Sequence, residues 1–376
     1  MRSLVLALIA SVGAASNAAA QLGLVPFDVR MPKAPVPFAA DGKVHLVYEL
    51  RVTNIARQDR GVQRVEALVG NGVVASWSGD SLKAISLRVG EAAVGVDARV
   101  LPGGRQALLY LMVSLPAGST PSSVAHRFYL THPDSLSGPA RDTLNGPTVP
   151  VEAGSPVSIA SPLKGGPWLA ANGPGNLSGH RRTVIPIQGL GRIAQRFATD
   201  WIKLGPDGRL WKGDSTRNEN WFGYKEPLLA VAEAVVVAVK DSIPENVPLS
   251  PQRTVPITLE TVGGNHVILD LGGGRYAFYA HMVPGSITVK VGDRVRPGQV
   301  IGLLGNSGNS DAPHLHFHVG DMPSPLGTEG LPFVIDGYEK LGMAQANFLA
   351  GWSSTAPAAP RRGELPLQNH VVRFKP

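Results

Sequence analysis

The chain has 376 residues and not one of them is cysteine. Disulfide staples and thiolate metal ligands are therefore excluded, and any bound metal must be held by His, Asp or Glu. Aromatic residues are scarce, at 6%, and acidic residues (28) are outnumbered by Lys and Arg (35), which leaves a formal net charge of +7. Such a charge suits anionic surroundings such as a bacterial cell wall, and it serves equally as a solubility device. The apolar run Leu4 to Ile9 is too short to span a bilayer. Preceded by Met1-Arg2-Ser3 and followed by small residues up to Ala18-Ala19-Ala20, it has the pattern of a cleaved secretory signal over residues 1–20. A secreted protein, of the periplasm or cell wall, is expected.

With 43% hydrophobic and 17% charged residues, the chain is composed like a globular protein of two or three ordinary domains. Residues 25–150 contain short runs of alternating apolar and polar residues, such as VHLVYELRVTN (44–54) and RQALLYLMVSL (105–115), separated by Gly, Pro, Asn and Asp. That pattern predicts an Ig-like β-sandwich. Its His45, His126 and His132 have no metal-like neighbours in sequence and are expected to be structural or exposed. The Pro-, Gly- and Ser-rich stretch 146–167 reads as a linker, centred on 151–165. The second half, 166–350, is again rich in strand patterns, with one helix expected near Gly337 to Leu349. The whole is therefore expected to be all-β, closing in a flexible tail over 351–376.

The strongest chemical signal is APHLHFHVGD, residues 312–321, which places His314, His316 and His318 at alternate positions. In a strand these three share one face, while Leu315, Phe317 and Val319 share the other. Neighbours on that face lie about 7 Å apart, too far for one metal at about 2.1 Å from each ring nitrogen to take all three. One or two of them are candidate ligands, and the rest stand close by.

Upstream lie YAHM (279–282) and GDRVRPGQVIGLLGNSGNS (292–310), with HLHF following at 314–317. In this order these elements resemble the lysostaphin/LytM-type zinc peptidases, which cut peptide bonds in bacterial peptidoglycan. The resemblance covers roughly residues 165–335. It implies an antiparallel β-sheet peptidase domain, zinc as cofactor, His316 as a metal ligand, and His281 and His314 as non-ligand histidines beside the metal. His318 falls where the family has a polar or acidic residue and is expected to be peripheral, either behind a ligand or facing solvent. Gly302, Gly305 and Gly308 are expected to serve turns and close packing, since no basic residue or helix start follows to make a nucleotide loop. No nucleic-acid partner is expected.

The family's remaining ligands come from a His-x-x-x-Asp element. The matching stretch here is RFATD, with Asp200 in place but Arg196 at the histidine position. Arginine stays protonated and has no lone pair for a metal. One replacement is at hand: if 180–188 and 192–200 form a hairpin about Gly189-Leu190-Gly191, Gln188 faces Arg192 and His180 faces Asp200, with Cβ atoms about 5 Å apart. A slip of one residue removes that argument. On the alternative reading His180 is structural and Asp200 pairs with Arg196.

The expected protein is thus a zinc endopeptidase acting on peptidoglycan, with His180, Asp200 and His316 as ligands and His281 and His314 as catalytic groups whose roles stay unassigned between base and oxyanion donor. Its rival is an inactive relative that binds the wall or activates other hydrolases. A third reading makes the N-terminal domain an adhesion module tethered by the peptidase half. Two long connections, 201–225 with Trp211, Trp221, Phe222 and Tyr224, and 241–264, are candidates for groove walls.

Overall fold

The structure is a computed structural model that describes residues 26–90, 96–136, 139–345, 352 and 357–375. The expected signal segment, 1–20, lies outside the described residues. Among those described, no helix is long and apolar enough to cross a membrane.

The molecule is all-β. In the N-terminal half two antiparallel sheets share one core. The first orders Phe27–Arg30, Lys43–Asn54, Gln106–Pro116 and Ser86–Arg88, with Phe38–Ala40 against Lys43–Asn54. The second orders Asp142–Asn145, Ser123–Thr131, Arg60–Val69 and Gly72–Ser78. Strand periodicity explains the packing. Along Lys43–Asn54, Leu46, Tyr48, Leu50 and Val52 point into the sandwich core with Val65, Leu109, Leu111, Val113 and Phe128. The intervening Val47 and Glu49 face outward, yet both are buried, because the C-terminal half covers that face.

The C-terminal half is built on an 11-stranded sheet whose pairings are all antiparallel. Its centre runs Asn265–Asp270, Tyr276–Met282, Leu315–Gly320, Thr199–Lys203, Trp168–Ala171 and His370–Arg373. One face of this sheet carries the large core of Trp201, Tyr279, Leu315, Phe317, Val319, Phe333 and Phe374. Phe38, Ala40 and Val47 of the N-terminal half belong to the same core.

Three expectations are corrected. Residues near 337–349 do not begin a helix: Tyr338–Met343 is a strand paired with both Ala359–Arg361 and His370–Arg373, and 346–349 lie outside the described residues. The supposed tail is internal in its described part, since His370–Arg373 is sandwiched between Trp168–Ala171 and Tyr338–Met343, with Val371, Val372 and Phe374 buried. Its apolar residues are few and spaced by Pro and Arg, so composition masks a strand that tertiary pairing stabilises. The linker-like stretch is likewise packed: Val157–Ile159 pairs in parallel with Phe333–Ile335, and Ile159 and Leu163 are core residues.

Phe374 is 1% exposed and meets Trp201 edge-on with ring centroids 5.3 Å apart. Phe374→Ala is therefore expected to lower the stability of the folded chain by about 3–5 kcal/mol, read from denaturant unfolding; a change within ~0.5 kcal/mol would mean the terminal strand does not pack as described.

Candidate metal centre

The strand Leu315–Gly320 positions the site. Leu315, Phe317 and Val319 are fully buried in the core, which turns His316 and His318 to the other face of the sheet. Pairing sets His316 directly opposite Asp200 on one neighbouring strand and Ala280 on the other. The Asp200 carboxylate then meets three imidazoles. His316 Nδ1 lies 3.0 Å and His314 Nε2 3.4 Å from its Oδ1, and His180 Nε2 lies 3.3 Å from its Oδ2. Asn172 Nδ2 donates to Oδ2 at 2.8 Å.

His180 arrives by a route other than the hairpin expected from sequence. The hairpin exists, but it pairs Ile185 with Arg192 and Ile187 with Leu190 about a two-residue turn at Gln188-Gly189. Both turn residues have positive φ, 52° and 77°, which fits the twist of a tight hairpin. The register is three residues off the expected one, and Thr199–Lys203 is a separate strand. His180 instead sits in a single helical turn, Gly179–Arg182, whose fold back towards Trp168–Ala171 carries the imidazole to Asp200. The juxtaposition holds; the reason given for it does not.

Each imidazole has one nitrogen assigned to the protein. Carbonyl oxygens only accept, so the Nδ1 atoms of His180, His314 and His281 carry the protons they donate to Asn172 O (3.1 Å), Ala312 O (2.8 Å) and Ser307 O (2.7 Å). Nε2 is left as the unprotonated atom in all three neutral rings. His281 holds this pose at a positive φ of 63°, a strained backbone for a side chain of its size, with its own N–H bonded to Gly263 O at 3.0 Å. Gly264 and Gly308 make that geometry possible: a Cβ on Gly308 would collide with the Gly264 backbone, and one on Gly264 with Ser307. Gly302 and Gly305 are similarly tight, so the glycines of this stretch serve packing as expected.

His318 is neither solvent-facing nor isolated. It is 1% exposed, and its Nδ1 lies 3.0 Å from His316 Nε2, so that one ring donates to the other. A metal on His316 Nδ1 would leave the proton on Nε2, with His318 as its acceptor. The sequence does not single out Asn172, whose amide bonds Asp200 and whose carbonyl fixes both His180 and the Ser178 hydroxyl. Its one sequence signal is the Asn-Gly pair at 172–173, and it adopts a positive φ of 51°.

Burial works against charge on these rings. It pushes His180 down to about 4 and holds His281 and His318 well below the ordinary imidazole value. Burial also opposes ionisation of Asp200, but the charges of His180 and His314, with hydrogen bonds from His314 and His316, outweigh it and keep the carboxyl well below its usual range. In His314 desolvation is overcome by the Asp200 charge, and its pKa is raised. Two imidazoles and an ionised carboxylate form a donor set fit for zinc. His180, Asp200 and His316 each offer a donor atom, and these lie within 4.8 Å of one another.

The triad, His281 and His314 line a cleft of about 540 Å³. Leu249, Ser250 and Pro251 of the 241–264 connection form one wall; that connection is pinned by Asn246 Nδ2, which donates to Gly308 O and Ser310 O. In the 201–225 loop Trp211 and Trp221 pack on each other at 4.9 Å, and Leu210 and Trp221 line the cleft. Arg196 takes no part. It is 4% exposed and turned to the N-terminal half, bonding Glu49 at 2.9 Å and Glu329 at 2.8 Å. His45 and His126 are buried structural residues bonded to Ala40 O and the Tyr48 hydroxyl, and His132 is half exposed.

Residues 222–326 match Peptidase family M23. The matched span includes His281, His314 and His316 and leaves out His180 and Asp200. The chain is similar to lysostaphin of Staphylococcus simulans, 38% identical over 84 residues that make up 21% of this chain and 17% of lysostaphin. It is similar also to the glycyl-glycine endopeptidase ALE-1 of Staphylococcus capitis, 46% over 56 residues and 15% of each chain. A third relative is the peptidoglycan DD-endopeptidase ShyA of Vibrio cholerae, 41% over 56 residues, 15% of this chain and 13% of that one. The chain thus spans less than a fifth of the length of these relatives. Among solved structures, a zinc-containing peptidase from Vibrio cholerae covers 82% of this chain and 86% of its own at 12% identity, with a TM-score of 0.23. By the order of its motifs and the matched span, the histidine-bearing part of this chain is similar to peptidase family M23, of the lysostaphin/LytM type.

Proposed function

We propose that the protein is a secreted zinc metalloendopeptidase that hydrolyses peptide bonds in peptidoglycan, with His180, Asp200 and His316 as the metal ligands. The observation that carries this reading is the convergence of two imidazoles and one ionised carboxylate within 4.8 Å, with two further imidazoles beside them in one cleft. The ground for a non-catalytic reading was Arg196 in the place of a histidine. His180, brought to Asp200 from elsewhere in the chain, supplies the missing imidazole and supports the catalytic reading.

Held by that set, zinc supplies Lewis acidity, acidifying water towards neutrality and polarising a carbonyl. The chain's own groups do the rest. His281 and His314, whose rings are 4.8 Å apart, are fixed through Nδ1 so that Nε2 is the working atom of each. The ring that is neutral takes a proton at Nε2 from the attacking water, the other donates to the oxyanion from Nε2 in its imidazolium form, and the proton taken from water is then returned to the leaving amine. Leu210, Trp221 and Leu249 give the cleft apolar walls, along which an extended peptide can lie.

In metal-free protein the Asp200 charge raises His314, so the imidazolium form persists to higher pH than in an isolated histidine. Asp200→Asn removes that charge, and the His314 ring resonance followed by NMR should then titrate at lower pH. For the function itself, purified peptidoglycan is digested and the fragments read by mass. His314→Ala should retain zinc and lose roughly 10²–10⁴-fold in rate, whereas His180→Ala should weaken zinc binding by as large a factor as His316→Ala. Identical inert profiles for wild type and His314→Ala would remove the enzymatic reading.

A further inference from the structure

His180 differs from its partners in how it is held. Asp200 and His316 lie in adjacent central strands and are fixed by sheet pairing on both sides. His180 lies in a four-residue helical turn, far too short to be stable by itself. What holds this turn is the N-terminal half. Arg181, the next residue, is 0% exposed. Its Nε donates to Glu49 Oε1 at 2.7 Å, and its Nη2 donates to Tyr48 O at 2.6 Å and Leu111 O at 2.9 Å. Only Nη1 bonds within its own segment, to Asn176 Oδ1. Arg182 follows the same pattern, donating to Ala84 O and lying 5.1 Å over the Tyr110 ring. The hairpin after the turn rests on the same sheet: Arg51 donates to Gly191 O, and Ile193 packs with Leu108 and Tyr110.

We infer that Glu49 is a positioning residue for His180, so that the metal site is completed only while the N-terminal sandwich holds the 179–182 turn. The reading rests on the metal assignment above. A carboxylate buried on the outer face of a sandwich is costly unless it is paired and hydrogen-bonded. Glu49 is paired twice, with Arg181 through Oε1 and with Arg196 through Oε2. Those two arginines lie near the two ends of the segment that begins at His180 and leads into Asp200. Glu49 itself is absent from the cleft lining, so it acts on the site through the arginines it holds, and its route to His180 is Arg181, the adjacent residue. Neutralising Glu49 leaves Arg181 a buried cation without its carboxylate, and the turn is then free to move by the fraction of an ångström that spoils a ligand geometry.

The test uses the full chain and measures zinc affinity by competition with a chromophoric chelator. Glu49→Gln and Arg181→Met should each weaken zinc binding by roughly 10–100-fold, as loss of a supporting partner does at metal sites. Added to His180→Ala, Glu49→Gln should cost no more than about twofold further, because the ligand it positions is already gone. A merely structural role would give full additivity, and additivity overturns the proposal, as does wild-type affinity in Glu49→Gln. If near-UV circular dichroism shows Glu49→Gln and Arg181→Met unfolded, Glu49→Asp decides: it keeps the buried charge but shortens its reach, so weakened zinc binding supports the proposal and unchanged binding overturns it. Wild-type zinc affinity in His180→Ala would instead refute the ligand assignment itself.

Discussion

The pairing of Thr199–Lys203 with Leu315–Gly320 is the constraint on which the site depends. With a side-chain period of two, the register that sets Asp200 opposite His316 also sends Trp201, Leu315 and Phe317 into the core on the other face. The apolar burial of those three large residues therefore fixes the polar side of the sheet. A slip by one residue would place His316 in the core and Phe317 in the cleft, so stability and ligand placement are locked to one another. The carboxylate at the centre of this pairing takes hydrogen bonds or close contacts from His180, His314, His316 and Asn172.

Around that pair the protein adds elements of decreasing intrinsic stability. His281 sits at the end of a central strand but in a left-handed conformation that Gly264, Gly308 and Ser307 enforce. His314 precedes its strand and is held by the Ala312 carbonyl and Ser310. His180 has the weakest local support and the most remote anchor, a buried ionic contact with the other half of the molecule. The interface between halves is accordingly mixed: Phe38 meets Phe197 edge-on at 5.7 Å, Asp41 pairs with Lys340 and His370, and Glu49 is shared by Arg181 and Arg196. An interface with buried charges and apolar contacts together resists sliding, since no shifted arrangement satisfies the charges.

The all-β class and the alternation of the histidine strand were legible in sequence because both follow from a period of two. The meeting of His180 and Asp200 was legible only as chemistry: a carboxylate that needed an imidazole, and one histidine near enough to provide it. The register proposed for it fails by three residues, because Gln188-Gly189, and not Gly189-Leu190-Gly191, makes the turn. Val371, Val372 and Phe374 were lost in a stretch whose Pro, Arg and Ala content resembles a tail; pairing with distant strands is not encoded in local composition. Arg196 was read as an absence of function. Its partners, Glu49 and Glu329, lie 147 and 133 positions away along the chain, and no local pattern links them. Asn172 was missed for the same reason.

The central place of His370–Arg373 has a consequence for the order in which the molecule is made. A nascent chain that has emerged only as far as residue 345 already holds all five proposed site residues, yet Trp168–Ala171 and Tyr338–Met343 lack the strand that lies between them. Their unpaired edges are open to strands of other chains until His370–Arg373 pairs with both, and contacts of such long sequence separation form slowly. The sheet that carries His281 and His316 is therefore completed by a strand far in sequence from both.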